Sequence, residues 1–154
     1  MNGKPLALDS IAMRSLLSYI WWLSKDVPAG VAVEGRGLVR ITAPGRPDPA
    51  RGRALYSVKC AACHGASGQG VTGAGGQTVF PALWGPRSFN IGAGMASLDT
   101  AAAFVKAKMP LGGTPLSDQE AYDVAAYFTQ QPRPDFKGKK GDWPNGGRPA
   151  DARY

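Results

Sequence analysis

Both cysteines of this 154-residue chain and its single histidine fall inside one pentapeptide, Cys60-Ala61-Ala62-Cys63-His64. No other feature constrains the fold as strongly. Two thiols three positions apart, followed at once by an imidazole, form the arrangement for covalent attachment of a c-type haem. Each thiol adds to one porphyrin vinyl group, and the adjoining imidazole takes the proximal position on the iron. The competing chemistries lack parts. A dithiol redox centre of the thioredoxin kind wants strands and helices alternating around the motif, and the flanking sequence does not alternate. A zinc site needs a fourth ligand, and the chain holds no further Cys or His. A plain disulfide leaves His64 without a role. One covalently bound haem c is the expected cofactor, held by Cys60, Cys63 and His64.

The rest of the composition agrees with a small domain that needs such a group. With 21 glycines and 13 prolines much of the backbone is turn and loop, while 44% apolar residues still allow a packed core. The longest mostly apolar segment, Ile11–Leu23, contains Arg14 and falls short of the ~20 residues that span a bilayer. No charged-then-apolar-then-small pattern at Met1 reads as a secretion signal. A membrane span, a collagen-like chain and a disulfide-stapled miniprotein are excluded.

Helix signals surround the motif. Asp48 can cap a helix with Pro49 at its first position, and Ala50–Lys59 follows without a breaker. Gly52 and Tyr56 share a face of it. A glycine inside a helix costs about 1 kcal/mol relative to alanine, so Gly52 predicts close approach of another helix. That partner is Ser117–Gln130, opened by a capping box at Ser117 and Glu120 and closed by Gln131-Pro132. Its Ala121, Val124, Ala125 and Phe128 make a narrow stripe of helical period, with Tyr127 beside it. A third, alanine-rich helix covers Asp99–Lys108 and stops before Pro110. Glycine-dense loops at Gly65–Gly76 and Gly92–Gly94 let backbone lie against a flat cofactor. The fold class is therefore all-α with long Gly/Pro-rich loops, a haem supplying the core that helix packing alone does not.

This pattern resembles the class I cytochrome c family. Gly52 and Tyr56 stand at the family's glycine and aromatic positions, Val124-x-x-Tyr127-Phe128 at the signature of its last helix, and Pro81-Ala82-Leu83 at its Pro-x-Leu segment. The resemblance covers residues 48–131. It implies that the Pro81 carbonyl accepts the His64 ring N–H, which orients the ring and raises its basicity. It also places Leu83 and Trp84 against the porphyrin.

The sixth iron ligand has several candidates. Methionine thioether favours reduced iron and raises the potential. Met109 lies between the two C-terminal helices, is followed by Pro110, and occupies the region where the class I methionine commonly falls. It is the expected ligand. Met95 reads as a haem-edge contact. Lys106 and Lys108 are the amine candidates. Lys108, adjacent to Met109, is an alternative ligand in the ferric state, where a harder donor is favoured once it has lost its proton.

The first helical segment echoes the last. Leu16-x-x-Tyr19-Ile20 repeats the pattern Val124-x-x-Tyr127-Phe128, and Gly3-Lys4-Pro5-Leu6 resembles Gly113-Thr114-Pro115-Leu116. Residues 1–26 are expected to be the closing helix of a preceding haem domain that is missing, with 27–47 a linker, 48–131 the monohaem domain and 132–154 a basic wrapping tail anchored by Trp143. The whole chain is similar to the diheme thiosulfate dehydrogenases, most specifically in Phe80–Gly85 and Ser88–Met95, with support from Glu34-Gly35-Arg36-Gly37 and Asp142-Trp143-Pro144. That family joins two thiosulfates into tetrathionate in the periplasm, at a first haem with a distal cysteine, and exports electrons through a second haem. The resemblance implies the second-haem domain, with no catalytic residue carried over, because neither a first CxxCH nor a spare cysteine is present. It also implies that Lys108 and Met109 match a pair that exchanges at the second haem. An independent monohaem carrier for another periplasmic dehydrogenase is the alternative reading. The net charge of +7 suits steering toward a small acidic redox partner, and nothing in the chain reads as a nucleic-acid motif.

Overall fold

Asp48 begins the main helical unit by accepting, through Oδ1, the N–H groups of Ala50 at 2.8 Å and Arg51 at 3.4 Å. Two otherwise orphaned donors are satisfied in this way, with Pro49 at the position where no donor is required. The helix so started, α2 (Pro49–Lys59), is one of five α-helices among the residues that the computed structural model describes, 5–31, 37–113 and 115–154. The sequence parallels noted at residues 1–4, 34–36 and 114 lie outside those described. The chain forms two compact units, Met1–Gly37 and Leu38–Tyr154.

The first unit contains α1, Ile11–Ser24, whose N-cap Ser10 accepts from the Met13 N–H at 3.1 Å. None of its residues is buried. Leu17, Tyr19, Ile20, Trp21 and Trp22 are all exposed.

The second unit is built from α2 (Pro49–Lys59), the single turn α3 (Ala61–His64), α4 (Leu98–Lys108) and α5 (Asp118–Thr129). At the start of α5 the Glu120 N–H donates to Ser117 Oγ at 3.2 Å, and the Ser117 N–H donates to Glu120 Oε2 at 2.8 Å, the reciprocal capping box. Helices α2 and α5 cross at Gly52, where a Cβ would stand 1.9 Å from the Asp123 carbonyl oxygen and 3.0 Å from Tyr127 Cβ. Only glycine allows that crossing. The Asp123 side chain, 2% exposed, locks it. Its carboxylate accepts Arg51 Nε at 2.7 Å, Arg51 Nη2 at 3.1 Å, the Asp48 N–H at 2.8 Å and Gln119 Nε2 at 2.8 Å. Burial alone would raise the Asp123 carboxyl; these donors outweigh it and hold the group below its ordinary value.

Helix α4 packs along α5 through small side chains. Ala101, Ala102 and Val105 share one buried cluster with Ala121, Val124, Ala125 and Phe128. Tyr56, Trp84, Leu116 and Tyr122 complete it. Within the expected all-α fold, the glycine-rich loop after α3 carries one short two-stranded antiparallel hairpin, β1 (Val71–Thr72) and β2 (Thr78–Phe80), with Val71 opposite Phe80. β-Branched and aromatic residues alternate too briefly there to stand out among the glycines.

The tail returns to the helices. The Gly85 N–H donates to the Pro132 carbonyl at 2.7 Å and the Ile91 N–H to that of Pro134 at 3.0 Å. Arg133 lies over the Phe89 ring, 4.4 Å from its centre, and donates to the Phe128 carbonyl at 2.7 Å. Burial, with Arg153 nearby, pulls its guanidinium down to about 10. Trp143 is half-buried with its ring 5.3 Å from that of Tyr154, and the Tyr154 hydroxyl bonds Asp142.

Candidate functional site

The last turn of α2 delivers Cys60, whose N–H donates to the Tyr56 carbonyl at 2.9 Å. Cys60 ends α2 and begins α3, so Cys63 and His64 follow within one helical turn. Gly65, at φ 81, breaks that turn. Both thiols are free; Cys60 is half-buried and Cys63 exposed. Burial pushes the Cys60 thiol up, Cys63 adds to this, and Lys59 opposes it.

His64 is oriented from several directions. Its Nδ1 lies 2.9 Å from the Pro81 carbonyl oxygen. With the proton on Nδ1 the ring donates to that carbonyl, and Nε2 keeps a free lone pair. The Gly70 N–H donates to the His64 carbonyl at 2.8 Å. The Pro81 segment is itself pinned, because the Leu83 N–H donates to the Gly68 carbonyl at 2.8 Å. A Cβ on Gly70, at φ 72, would meet the Phe80 carbonyl oxygen at 2.4 Å, so the loop lies too close for any side chain there. Phe80 sets its ring edge-on to His64, centres 6.5 Å apart.

Behind the motif stand three aromatic rings. Tyr56 lies 5.0 Å from Trp84 and 5.5 Å from Tyr127, and Trp84 lies 5.6 Å from Tyr127, centre to centre. The Tyr56 hydroxyl donates to the Gly65 carbonyl at 2.6 Å, tying α2 to the residue after His64. Burial raises the Tyr56 phenol well above its ordinary value. Tyr56 and Tyr127 were legible as helix-face aromatics; their union with Trp84 was not, since no local pattern links residue 84 to the two helices.

Two methionines follow in the second unit. Met109 caps the C-terminus of α4, its N–H donating to the Val105 carbonyl at 2.9 Å. Met95 lies in a 3-10 turn, Gly94–Ala96. Both are half-buried and pack on the same core cluster as Cys60, Leu83 and Phe89. Trp84 belongs to the cluster proper. Lys108 is exposed. Lys106 donates to the Leu116 carbonyl at 2.8 Å and pairs with Asp118 at 2.9 Å, so its ammonium is occupied at the start of α5. Beyond Met109 the loop turns outward, and Leu111 is 86% exposed.

Two free thiols three positions apart, an imidazole with one nitrogen bonded and one free, and thioethers on the same apolar cluster form a soft sulfur and nitrogen donor set that fits an iron porphyrin. No group of three or more His, Cys, Asp or Glu able to hold a separate metal ion occurs among the described residues.

Comparison with known proteins agrees with this geometry. Residues 47–128 match the family described as Cytochrome C oxidase, cbb3-type, subunit III. A thiosulfate dehydrogenase of Psychrobacter arcticus is 50% identical over 154 residues, 99% of this chain and 47% of the relative. One from Allochromatium vinosum is 51% identical over 143 residues, 92% of this chain and 53% of the relative. The solved thiosulfate dehydrogenase TsdBA of Marichromatium purpuratum superposes with a TM-score of 0.72 at 44% identity, covering 97% of this chain and 33% of that one. The chain spans about half the length of the curated relatives it matches.

Proposed function

Since the chain belongs to the family described as Cytochrome C oxidase, cbb3-type, subunit III, and so to the haem-bearing cytochromes c, we propose that it transfers single electrons through one haem c in thiosulfate oxidation. When bound, haem c supplies one-electron exchange between ferric and ferrous iron. The chain's own residues do the rest. Cys60 and Cys63 anchor the porphyrin as thioethers, and His64 presents Nε2 to the iron. The Pro81 carbonyl holds the ring and keeps it from rotating. Leu83, Trp84 and Met95 wall the porphyrin and exclude water. Met109 would hold the iron through its thioether, with Lys108 as its competitor when the iron is ferric.

The observation that carries this reading is the 2.9 Å bond from His64 Nδ1 to the Pro81 carbonyl, which leaves a single nitrogen for a metal. The longer relatives are named thiosulfate dehydrogenases, and this chain corresponds to about half of each. We read it as the electron-exporting half of a periplasmic enzyme. The exposed apolar α1 then serves as a closing helix for a neighbouring haem domain, and the +7 charge steers a small acidic acceptor. No helix among the described residues is long and apolar enough to cross a membrane.

The test is direct. Produced with c-type maturation, the chain should gain the mass of one haem that resists denaturing extraction. It should be reduced and reoxidised by small one-electron carriers, faster at low salt with anionic ones. Mixed with thiosulfate and excess acceptor, it should not sustain tetrathionate formation. Sustained formation would overturn the electron-transfer assignment.

A further inference from the structure

The interface between α4 and α5 is made of very short side chains: Ala101, Ala102 and Val105 facing a stripe of Ala121, Val124 and Ala125. Packed helices hold their axial register by side-chain ridges seated in grooves. Ridges of alanine and valine resist sliding weakly, and the taller residues of α5 in the cluster are Tyr122 and Phe128. The register must then be held at the ends of α4. At the C-terminal end, Lys106 reaches the Leu116 carbonyl and the Asp118 carboxylate. At the N-terminal end the Tyr122 hydroxyl of α5 donates to Asp99 Oδ1 at 3.2 Å, and the N-cap residue, Ser97, makes no side-chain capping bond of its own to the helix. Its place is taken by Asp151, from the far end of the chain. The Asp151 carboxylate accepts the Ser97 hydroxyl and, at 3.0 Å, the Asp99 N–H. Two residues on, Arg153 donates to the carbonyl of Thr129, the last residue of α5. An anion thus sits at the start of α4 and a cation at the end of α5, each at the terminus whose dipole it complements. The pair straps the two helix ends together.

We infer that Asp151 is a positioning residue for the distal iron ligand. It holds α4 in register along α5, and so sets where Met109, at the opposite end of α4, comes to rest. This rests on the reading of Met109 as the axial ligand. Met109 itself is bonded only through its backbone to Val105, within the same helix, so any displacement of α4 carries it along.

The experiment uses the haem-loaded chain and three readouts: the ferric sulfur-to-iron charge-transfer band, the reduction potential and the melting temperature. Asp151→Ala should lower the ratio of methionine-bound to methionine-free ferric iron about fivefold, the factor corresponding to one lost helix cap. The potential should fall with it. Arg153→Ala should move both the same way, and Asp151→Glu should recover part of the loss. A lower melting temperature with an unchanged band and potential in Asp151→Ala would mean an ordinary structural cap, and would overturn the inference. Met109→Ala separates the two claims. If the band survives there, the ligand assignment itself fails; if it vanishes there and is intact in Asp151→Ala, only the positioning role fails. Should Asp151→Ala not fold, Ser97→Ala removes one donor and leaves the Asp99 N–H in place. A partial loss of band in that variant supports the strap, and an unchanged band overturns it.

Discussion

The two sides of the proposed haem site are held in different ways. On the proximal side His64 is fixed by a bond to its ring, a bond to its carbonyl, and the Tyr56 hydroxyl on the next residue. Every one of those partners lies on a segment that is itself tied down. On the distal side Met109 follows a helix packed through alanines and precedes a loop whose Leu111 stands 86% exposed. An exposed lysine lies directly before it. On the proposed assignment, a rigidly held His64 would keep the porphyrin in place. If Met109 and Lys108 are the donors proposed, the iron's own preference, soft donor when reduced and harder donor when oxidised, would choose between two adjacent residues at little cost in protein rearrangement.

The contrast can be broken most severely from the proximal side. Replacing Cys60 and Cys63 together by serine should abolish covalent haem, checked by haem staining after denaturing electrophoresis. Cooperative melting should go with it, because Gly65–Ala96 contributes only Trp84 and Ala96 to the buried apolar residues. A cooperatively melting haem-free chain would show that the loops do not depend on the porphyrin.

Next in size is the crossing that presents the motif. Gly52→Ala drives a methyl into backbone, not into a yielding side chain, and should cost about 3 kcal/mol or more by denaturant unfolding. The distal band of whatever fraction folds should change little.

Asp123→Ala, at the same crossing, should cost about 2 kcal/mol by removing an acceptor shared by Arg51, Gln119 and the Asp48 N–H. Its carboxyl is held below the ordinary value in the folded chain, so its contribution is present in full above the unfolded carboxylate value near ~4 and disappears as pH falls through the lowered one. Asp123→Asn should therefore flatten the acid limb of the stability profile and leave its alkaline limb unchanged.

The smallest stability effects belong to the distal side and carry the largest spectroscopic ones. Met109→Ala should cost about 1 kcal/mol, abolish the sulfur-to-iron band and lower the reduction potential. Lys108→Ala, on the surface, should change stability by less than about 0.5 kcal/mol. If its amine competes for ferric iron, that variant should retain the methionine band at alkaline pH where the unaltered chain loses it. Unchanged spectra in both variants would move the assignment to Met95.

Much of the scaffold was legible because its signals are local. Asp48-Pro49 and Ser117-x-x-Glu120 start helices by bonds within one turn, and the structure begins α2 and α5 there. Gly52 announced a close crossing through its misfit with helix propensity, and the helix predicted from Ser117 is the one it crosses, at Asp123 and Tyr127. Asp123 carried no signal of its own, lying between Ala121 and Val124 of the apolar stripe without belonging to it. That it is buried depends on Arg51, brought from 72 residues away. The hairpin at Val71–Phe80 escaped notice because two- and three-residue strands have no period to read.

What the sequence by itself determined is the chemistry. Only Cys60, Cys63 and His64 can ligate or attach in this pattern, because the identity of a donor atom is a property of the residue and their spacing lies within one helical turn. What only the tertiary structure decided is which of several equivalent groups meets which. Two neighbouring lysines near the end of α4 look alike in sequence, yet Lys106 is taken by Leu116 and Asp118 while Lys108 stays exposed. A capping acid for α4 comes from Asp151, 54 residues beyond Ser97. Such pairings depend on how the chain closes on itself. Closure is governed by the summed burial of many small side chains, and no single local signal records where it brings two distant groups together.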